Sequence, residues 1–201
     1  MIADSDYFVV EAKAGDFLNE VFPIRQDLYL EIGSGKGEFI SRYPAHHLDW
    51  NFIGMEKSPK RIRNCLKKLS QEANPNVRLV CQYADASIVN YFRKESLSGV
   101  FIQHPDPWPK RRHHRRRLIQ QDFLSALAEV LKPKARIQIS TDHKEYAAWI
   151  VEQFLQNPHY LSLQDDPMQV LPNLDEHIVT WFEQEQSRLG YHPHFMLYER
   201  I

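Results

Sequence analysis

The 201-residue chain has no apolar run near the roughly 20 residues that a membrane span needs. Its start, MIADSDYFVVEAKAG, lacks the basic-then-apolar order of a secretion signal, so a cytoplasmic protein without a membrane partner is expected. Cysteine is scarce. Cys65 and Cys81 read as lying on a helix and a strand, fit no metal spacing, and are expected to be reduced core thiols. His46, His47, His104, His113 and His114 lack ligand spacing too, and no metal is expected. There is no internal repeat, low-complexity tract or linker. Net charge is −1, so the total carries no signature of a nucleic-acid binder.

What is present is an ordinary globular composition, 43% hydrophobic and 25% charged, long enough for one domain with a full core. The charge is unevenly placed. Six of the 25 Lys and Arg fall between residues 110 and 117. Residues 165 to 185 hold Asp165, Asp166, Asp175, Glu176, Glu183 and Glu185 and neither Lys nor Arg. A basic face opposed to an acidic segment suits a polyanionic partner bound on one side.

The basic run belongs to a longer stretch, PDPWPKRRHHRRR, from Pro105 to Arg117. Three prolines fix φ and remove backbone donors, so Asp106 and Trp108 sit on a stiff, non-helical loop. The apolar run Gly99 to Gln103 before it reads as a buried strand, and LIQQDFLSALAEVL after it as a helix. Open α/β sheets place their chemistry on loops at such strand ends.

Other strand ends point the same way. Leu28 to Ile32 runs into a turn where Gly33, Gly35 and Gly37 alternate, and a helix begins near Lys36. Missing side chains let the backbone approach a ligand closely. A dinucleotide fingerprint would need glycine where Glu38 stands. A second strand, Asn51 to Met55, ends at Glu56, the usual place for an acceptor of two ribose hydroxyls. Ser58 then caps a helix that opens on Pro59. Val77 to Gln82 leads to Asp85 and Ala86, where a carboxylate suits a purine amine or an ordinary turn. Ala135 to Thr141 ends at Asp142. An amphipathic helix follows from His143, then a last helix over LDEHIVTWFEQEQSRLG and a closing strand, HFMLYER.

Residues 1–26 read as an N-terminal arm with a short helix near Asp16 to Val21, and 27–201 as one domain. The βα alternation predicts a doubly wound, mostly parallel α/β sheet. Glu31, Glu56, Asp85, Asp106 and Asp142 converge on its one edge. An RNA-binding protein without chemistry would keep the basic run but not need Glu31, Glu56 and the glycines. A methyltransferase for exocyclic amines would want Asp-Pro-Pro-aromatic, and here one proline separates Asp106 from Trp108.

EIGSGKGEF with Glu56 resembles the S-adenosylmethionine site of class I methyltransferases, which implies their seven-stranded, Rossmann-like sheet. PDPWPKRRHHRRRLIQQDFL is similar to the signature of bacterial tRNA (guanine-N7-)-methyltransferases, as are Thr141-Asp142 and Thr180 to Glu183. The resemblance spans about residues 28 to 201. It implies methylation of a tRNA guanosine at N7, at position 46 of the variable loop, by a monomer or homodimer. By this likeness Glu31, Gly33, Gly35, Gly37, Glu56, Asp85, Ala86 and Asp106 would contact the donor, with Asp106 also catalytic. Lys110, Asp142, Thr180, Trp181, Phe182 and Glu183 would hold the target. Arg112, His113, His114, Arg115, Arg116 and Arg117 would lie along the RNA. Two departures stand out: Gln103-His104 replaces a frequent Asn-Phe pair, and Trp181 occupies a place that is often Lys.

Overall fold

A computed structural model describes residues 4–13, 15, 17–166, 170–172, 174 and 176–201. Among them, eight strands form one sheet in the order β1-β4-β3-β2-β5-β6-β8-β7. The strands are β1 Val9–Val10, β2 Asp27–Ile32, β3 Trp50–Met55, β4 Val77–Val80, β5 Leu97–Gln103, β6 Leu131–Thr141, β7 Tyr160–Ser162 and β8 His194–Arg200. Pairings from β1 through β6 are parallel, and β8 runs antiparallel to β6 and β7. The doubly wound, mostly parallel expectation holds. The count is eight rather than seven because the arm adds β1 alongside β4. β7 has no counterpart in the sequence reading, since three residues at a sheet edge are too few to show a period.

The helices are α1 Asp4–Phe8, α2 Glu38–Arg42, α3 Pro59–Leu66, α4 Gln121–Val130, α5 Lys144–Gln156 and α6 Trp181–Arg188. They cover both faces, which is why the central strands are apolar without a break (β4 is buried throughout). Side chains alternate between two cores, as a strand's period of two requires. Leu28, Leu30 and Ile32 join Val100 and Ile102 with the residues of α4 and α5. Phe52, Val77, Leu79 and Phe101 join Phe8, Phe39 and Ile62 on the other face.

Three expectations change. Asp16 lies outside the described residues, and the rest of that predicted helix is a single 3-10 turn, Leu18–Glu20. The last helix is shorter than its pattern. Thr180 is extended and its side chain accepts from the Glu183 amide, so the helix starts at Trp181. Cys65 is buried as expected, but Cys81 is exposed, just past the end of β4. No helix among the described residues is long and apolar enough to cross a membrane.

Candidate active site

β2, β3, β5 and β6 end at one edge of the sheet, where two cavities open side by side. One, of about 570 Å³, is walled by Met55, Glu56, Lys57, Gln82, Tyr83, Ala84, Trp108, Arg115 and Arg116. The other, of about 770 Å³, is walled by Glu31, Ser34, Gly35, Lys36, Asp142, Lys144, Thr180, Trp181, Phe182 and Tyr191. Gly33, Arg61 and the run Gln103 to Asp106 border both. A molecule lying across that shared wall is exposed to both cavities where Asp106 stands.

The glycine turn forms because its residues adopt left-handed φ, +83° at Gly33, +55° at Gly35 and +79° at Gly37. Backbone bonds lock it: Gly33 donates to the Met55 carbonyl at 2.7 Å and Gly37 to that of Ser34 at 2.7 Å. A Cβ on Gly33 would meet nothing within 4 Å, so the cavity side is open there. Gly37 is different. A Cβ on it would stand 2.7 Å from the Cys65 Cα, so it is a packing glycine that seats α2 on α3, and it lines neither cavity.

Glu56 is 2% exposed. Its two oxygens accept from the amides of Gly35 (3.0 Å) and Ser58 (2.9 Å), with the Arg61 guanidinium at 3.6 Å. Each oxygen keeps a lone pair, and they face a cavity wide enough for a nucleoside. Glu31 is buried with Oε2 unpartnered. Burial pushes its carboxyl up to about 7, and the charge of Glu56 adds to the rise. Such an orphan acceptor fits an ammonium group, and the pair Glu31 and Glu56 fits the amino-acid and ribose ends of S-adenosylmethionine. Asp85 and Ala86 border neither cavity. Asp85 Oδ1 caps a 3-10 turn by accepting from Ser87 at 2.8 Å, and Gln82 to Ala84 make the wall instead.

On the proline loop, Asp106 is mostly exposed and its Oδ2 accepts from Lys57 at 3.4 Å. His104 and Trp108 flank Pro105 to Pro107 with left-handed φ of +47° and +43°. Non-glycine residues held there store strain, which concentrates at functional sites. The basic run is a 3-10 helix, Arg111–Arg116. Lys110, Arg111, Arg112, Arg115 and Arg116 are exposed, His113 is half-buried, and Arg116 lies 5.0 Å from the Trp108 ring.

Arg117 departs from the expectation that it lies along RNA. It is 3% exposed, donates from Nε to the Pro107 carbonyl at 2.9 Å, and stands 5.0 Å from the rings of both Tyr146 and Trp149. Its partners on α5 turn it inward, and it pins the proline loop to that helix. His114 leans on Trp149 in the same way, with Glu145 at 3.6 Å.

Thr180 to Phe182 and Asp142 meet in the second cavity, while Lys110 and Glu183 border neither. Glu183 is buried and lies 2.6 Å from His177 Nε2. The Asp142 carboxyl is held below the usual range by the facing His104 ring, whose Nδ1 stands 3.6 Å away, against some desolvation. Trp181 ties this segment to the glycine turn: its ring receives the Lys36 ammonium at 3.1 Å and its amide donates to Glu38 at 2.7 Å. Sequence reasoning did not find Met55, Tyr83, Arg61 or Tyr191 as wall residues. None belongs to a motif, and only the apposition of separate loops exposes them.

The strand order, the glycine turn and the buried strand-end acids define a class I S-adenosylmethionine-dependent methyltransferase. A solved rRNA methylase from Streptococcus thermophilus superposes with a TM-score of 0.58 over 88% of this chain and 87% of its own, at 11% identity. Residues 25–196 match the family described as "Putative methyltransferase". A tRNA (guanine-N(7)-)-methyltransferase of Caulobacter sp. (strain K31) is 33% identical over 83% of this chain and 73% of its own length. One from Nitrosomonas europaea is 34% identical over 87% and 76%. The chain belongs to the tRNA (guanine-N7-)-methyltransferase family.

Proposed function

We infer that this protein transfers a methyl group from S-adenosylmethionine to N7 of a guanosine in tRNA, forming 7-methylguanosine, and that the target is position 46 of the variable loop. The observation that carries the reading is the wall of Gln103 to Asp106 shared by a cavity with Glu56 and one with Asp142 and Thr180. A bound donor supplies an electrophilic methyl on a sulfonium centre. Glu31 and Glu56 hold its two ends, with Gly33 and Gly35 admitting it against the backbone.

Guanine N7 keeps a free lone pair at neutral pH, so no side chain has to remove a proton. Positioning of two reactants is then the main source of rate, worth several kcal/mol. The guanine ring gains positive charge during transfer, and Asp106 stabilises that charge more than it stabilises the ground state. Asp142 and Thr180 hold the base, with Trp181 and Phe182 beside it, and Glu183 supports them from behind through His177. Arg111, Arg112, Arg115 and Arg116, with Lys110, contact phosphates and bring affinity without reading sequence. The folded shape of tRNA supplies the rest. The reading needs no metal ion, and it places a monomer or homodimer in the cytoplasm with its substrate.

The test is mass spectrometry of nucleosides from unmodified tRNA incubated with enzyme and donor. An enzyme- and donor-dependent 7-methylguanosine is expected. Methyl groups on another atom, or none, would refute the assignment.

A further inference from the structure

Cations are gathered at a second place in the fold, on α3. Residues 57–68 hold Lys57, Lys60, Arg61, Arg63, Lys67 and Lys68 and neither Asp nor Glu, in a chain whose net charge is −1. The helical period sorts these cations by direction. Ile62, Cys65 and Leu69 face the core. Arg61 and Lys68 lie to one side, where they meet Glu56 at 3.6 Å and Glu38 at 3.1 Å. Lys60, Arg63 and Lys67 form an exposed stripe away from the buried face, and among the described residues none of the three has a carboxylate within ion-pair distance. A helix face that serves only solvation mixes its signs, because like charges three and four residues apart repel. A polyanion lying along the stripe relieves that repulsion and releases its own counterions.

The stripe continues a surface already begun at the proline loop. β3 and β5 flank β2 in the sheet, so the segments that follow them reach the same edge from two directions. Lys57 and Arg61 from one, and Arg115 and Arg116 from the other, wall the first cavity together. Lys57 also meets Asp106 of the proline loop at 3.4 Å. We propose that Lys60, Arg63 and Lys67 are a second docking surface for the tRNA backbone, which runs from Arg111–Arg116 past the mouth of the first cavity onto α3. The proposal rests on the tRNA reading above and extends its footprint to a separate element. The stripe offers charge alone, so it bears on affinity and orientation and not on which base is methylated.

The test replaces all three by Gln, which removes charge but keeps long, helix-compatible side chains. For Lys60→Gln, Arg63→Gln and Lys67→Gln together, tRNA affinity at about 0.1 M salt should fall on the order of tenfold to a hundredfold, and the log-affinity against log-salt slope should flatten by about two to three units. KM for tRNA should rise while kcat holds. Donor affinity in calorimetry should not change, because none of the three borders either cavity. Exchanging the cations, Lys60→Arg, Arg63→Lys and Lys67→Arg, should keep the wild-type slope. A control, Arg25→Gln, Lys94→Gln and Lys134→Gln, removes the same charge from exposed sites near the starts of β2, β5 and β6 and should leave the slope alone. If the triple Gln variant melts early, Lys60→Gln with Lys67→Gln should still flatten the slope by about one to two units. A wild-type slope in the folded Gln variant would overturn the proposal and leave a solvated face. Equal flattening in the control would overturn it too, by showing a general effect of net charge. A wild type that binds donor but makes no 7-methylguanosine on tRNA would overturn the underlying activity instead.

Discussion

The glycine turn after β2 and the proline loop after β5 leave the same sheet edge and border the same two cavities, yet they are held by opposite means. The glycine turn is fixed through its own backbone amides and left-handed glycines: Gly37 bonds to Ser34 within the turn, and Gly33 and Gly35 bond to Met55 and Glu56 at the end of the next strand. The proline loop has given up backbone donors and puts non-glycine residues at left-handed φ, so it cannot hold itself. Side chains from elsewhere do that work: Lys57 on Asp106, and Arg117 packed between Tyr146 and Trp149. A loop held by its own backbone announces itself in sequence, and one held by distant side chains shows its composition but not its pose.

The largest effect expected is on the proline loop. Asp106→Asn should fold and bind tRNA normally but lose single-turnover rate on the order of 100-fold or more, since it removes charge aimed at the transition state. The wild-type rate at saturating donor should stay nearly flat from about pH 6.5 to 9, as expected where no ordinary carboxylate titrates. A rate climbing tenfold per pH unit would reveal a general base and reverse the role given to Asp106. Arg117→Ala comes next. Losing a buried guanidinium that bonds the Pro107 carbonyl and packs on two rings should cost about 3 kcal/mol of stability, or roughly 6–12 °C of melting temperature in a chain of this size. An unchanged melting curve would show that the loop holds itself after all.

On the glycine side the effects are smaller and confined to the donor. Glu56→Ala should weaken donor binding by about 1–3 kcal/mol in calorimetry, with tRNA gel shifts little changed. Glu31 should make that binding depend on pH. An ammonium needs the carboxylate, and with the carboxyl up at about 7 donor affinity should rise about tenfold from pH 6 to 8. The folded protein keeps a proton that the unfolded chain has released above 4.5. Stability without donor should therefore fall as pH rises from there to about 7, then level off. Glu31→Gln should flatten both profiles, and a pH-dependent affinity in that variant would remove Glu31 from the donor site. The smallest effect belongs to the outer arginines. Arg115 and Arg116 replaced together by Ala should flatten the log-affinity against log-salt plot for tRNA by about one to two units without lowering the melting temperature. A wild-type slope would mean that the RNA docks elsewhere.

The fold and half of the site were legible in the sequence. Apolar runs bounded by turn residues mark β2 to β6 and β8, and glycine spacing with Glu31 and Glu56 marks residues that line the two cavities. Less legible were the two-residue β1, the three-residue β7 and the true start of α6, where a cap at Thr180 overrides a helical pattern. In the site, Gly37 and Arg117 sit inside motifs whose neighbours line a cavity or face solvent, but each is turned to packing by another element, Cys65 in one case and α5 in the other.

What the sequence by itself determined is the class of chemistry: a parallel sheet, acids at its strand ends, a turn that admits a ligand against backbone, and a basic loop for a polyanion. Those are consequences of local periodicity and backbone permissiveness, which a sequence carries directly. Only the tertiary structure decided which glycines line a cavity and which arginines face solvent, and that His104 lies between Asp142 and Glu183. Side-chain facing in a loop or a short 3-10 helix has no period to read. It is set by what packs against it, and here those partners lie on strands and helices far along the chain.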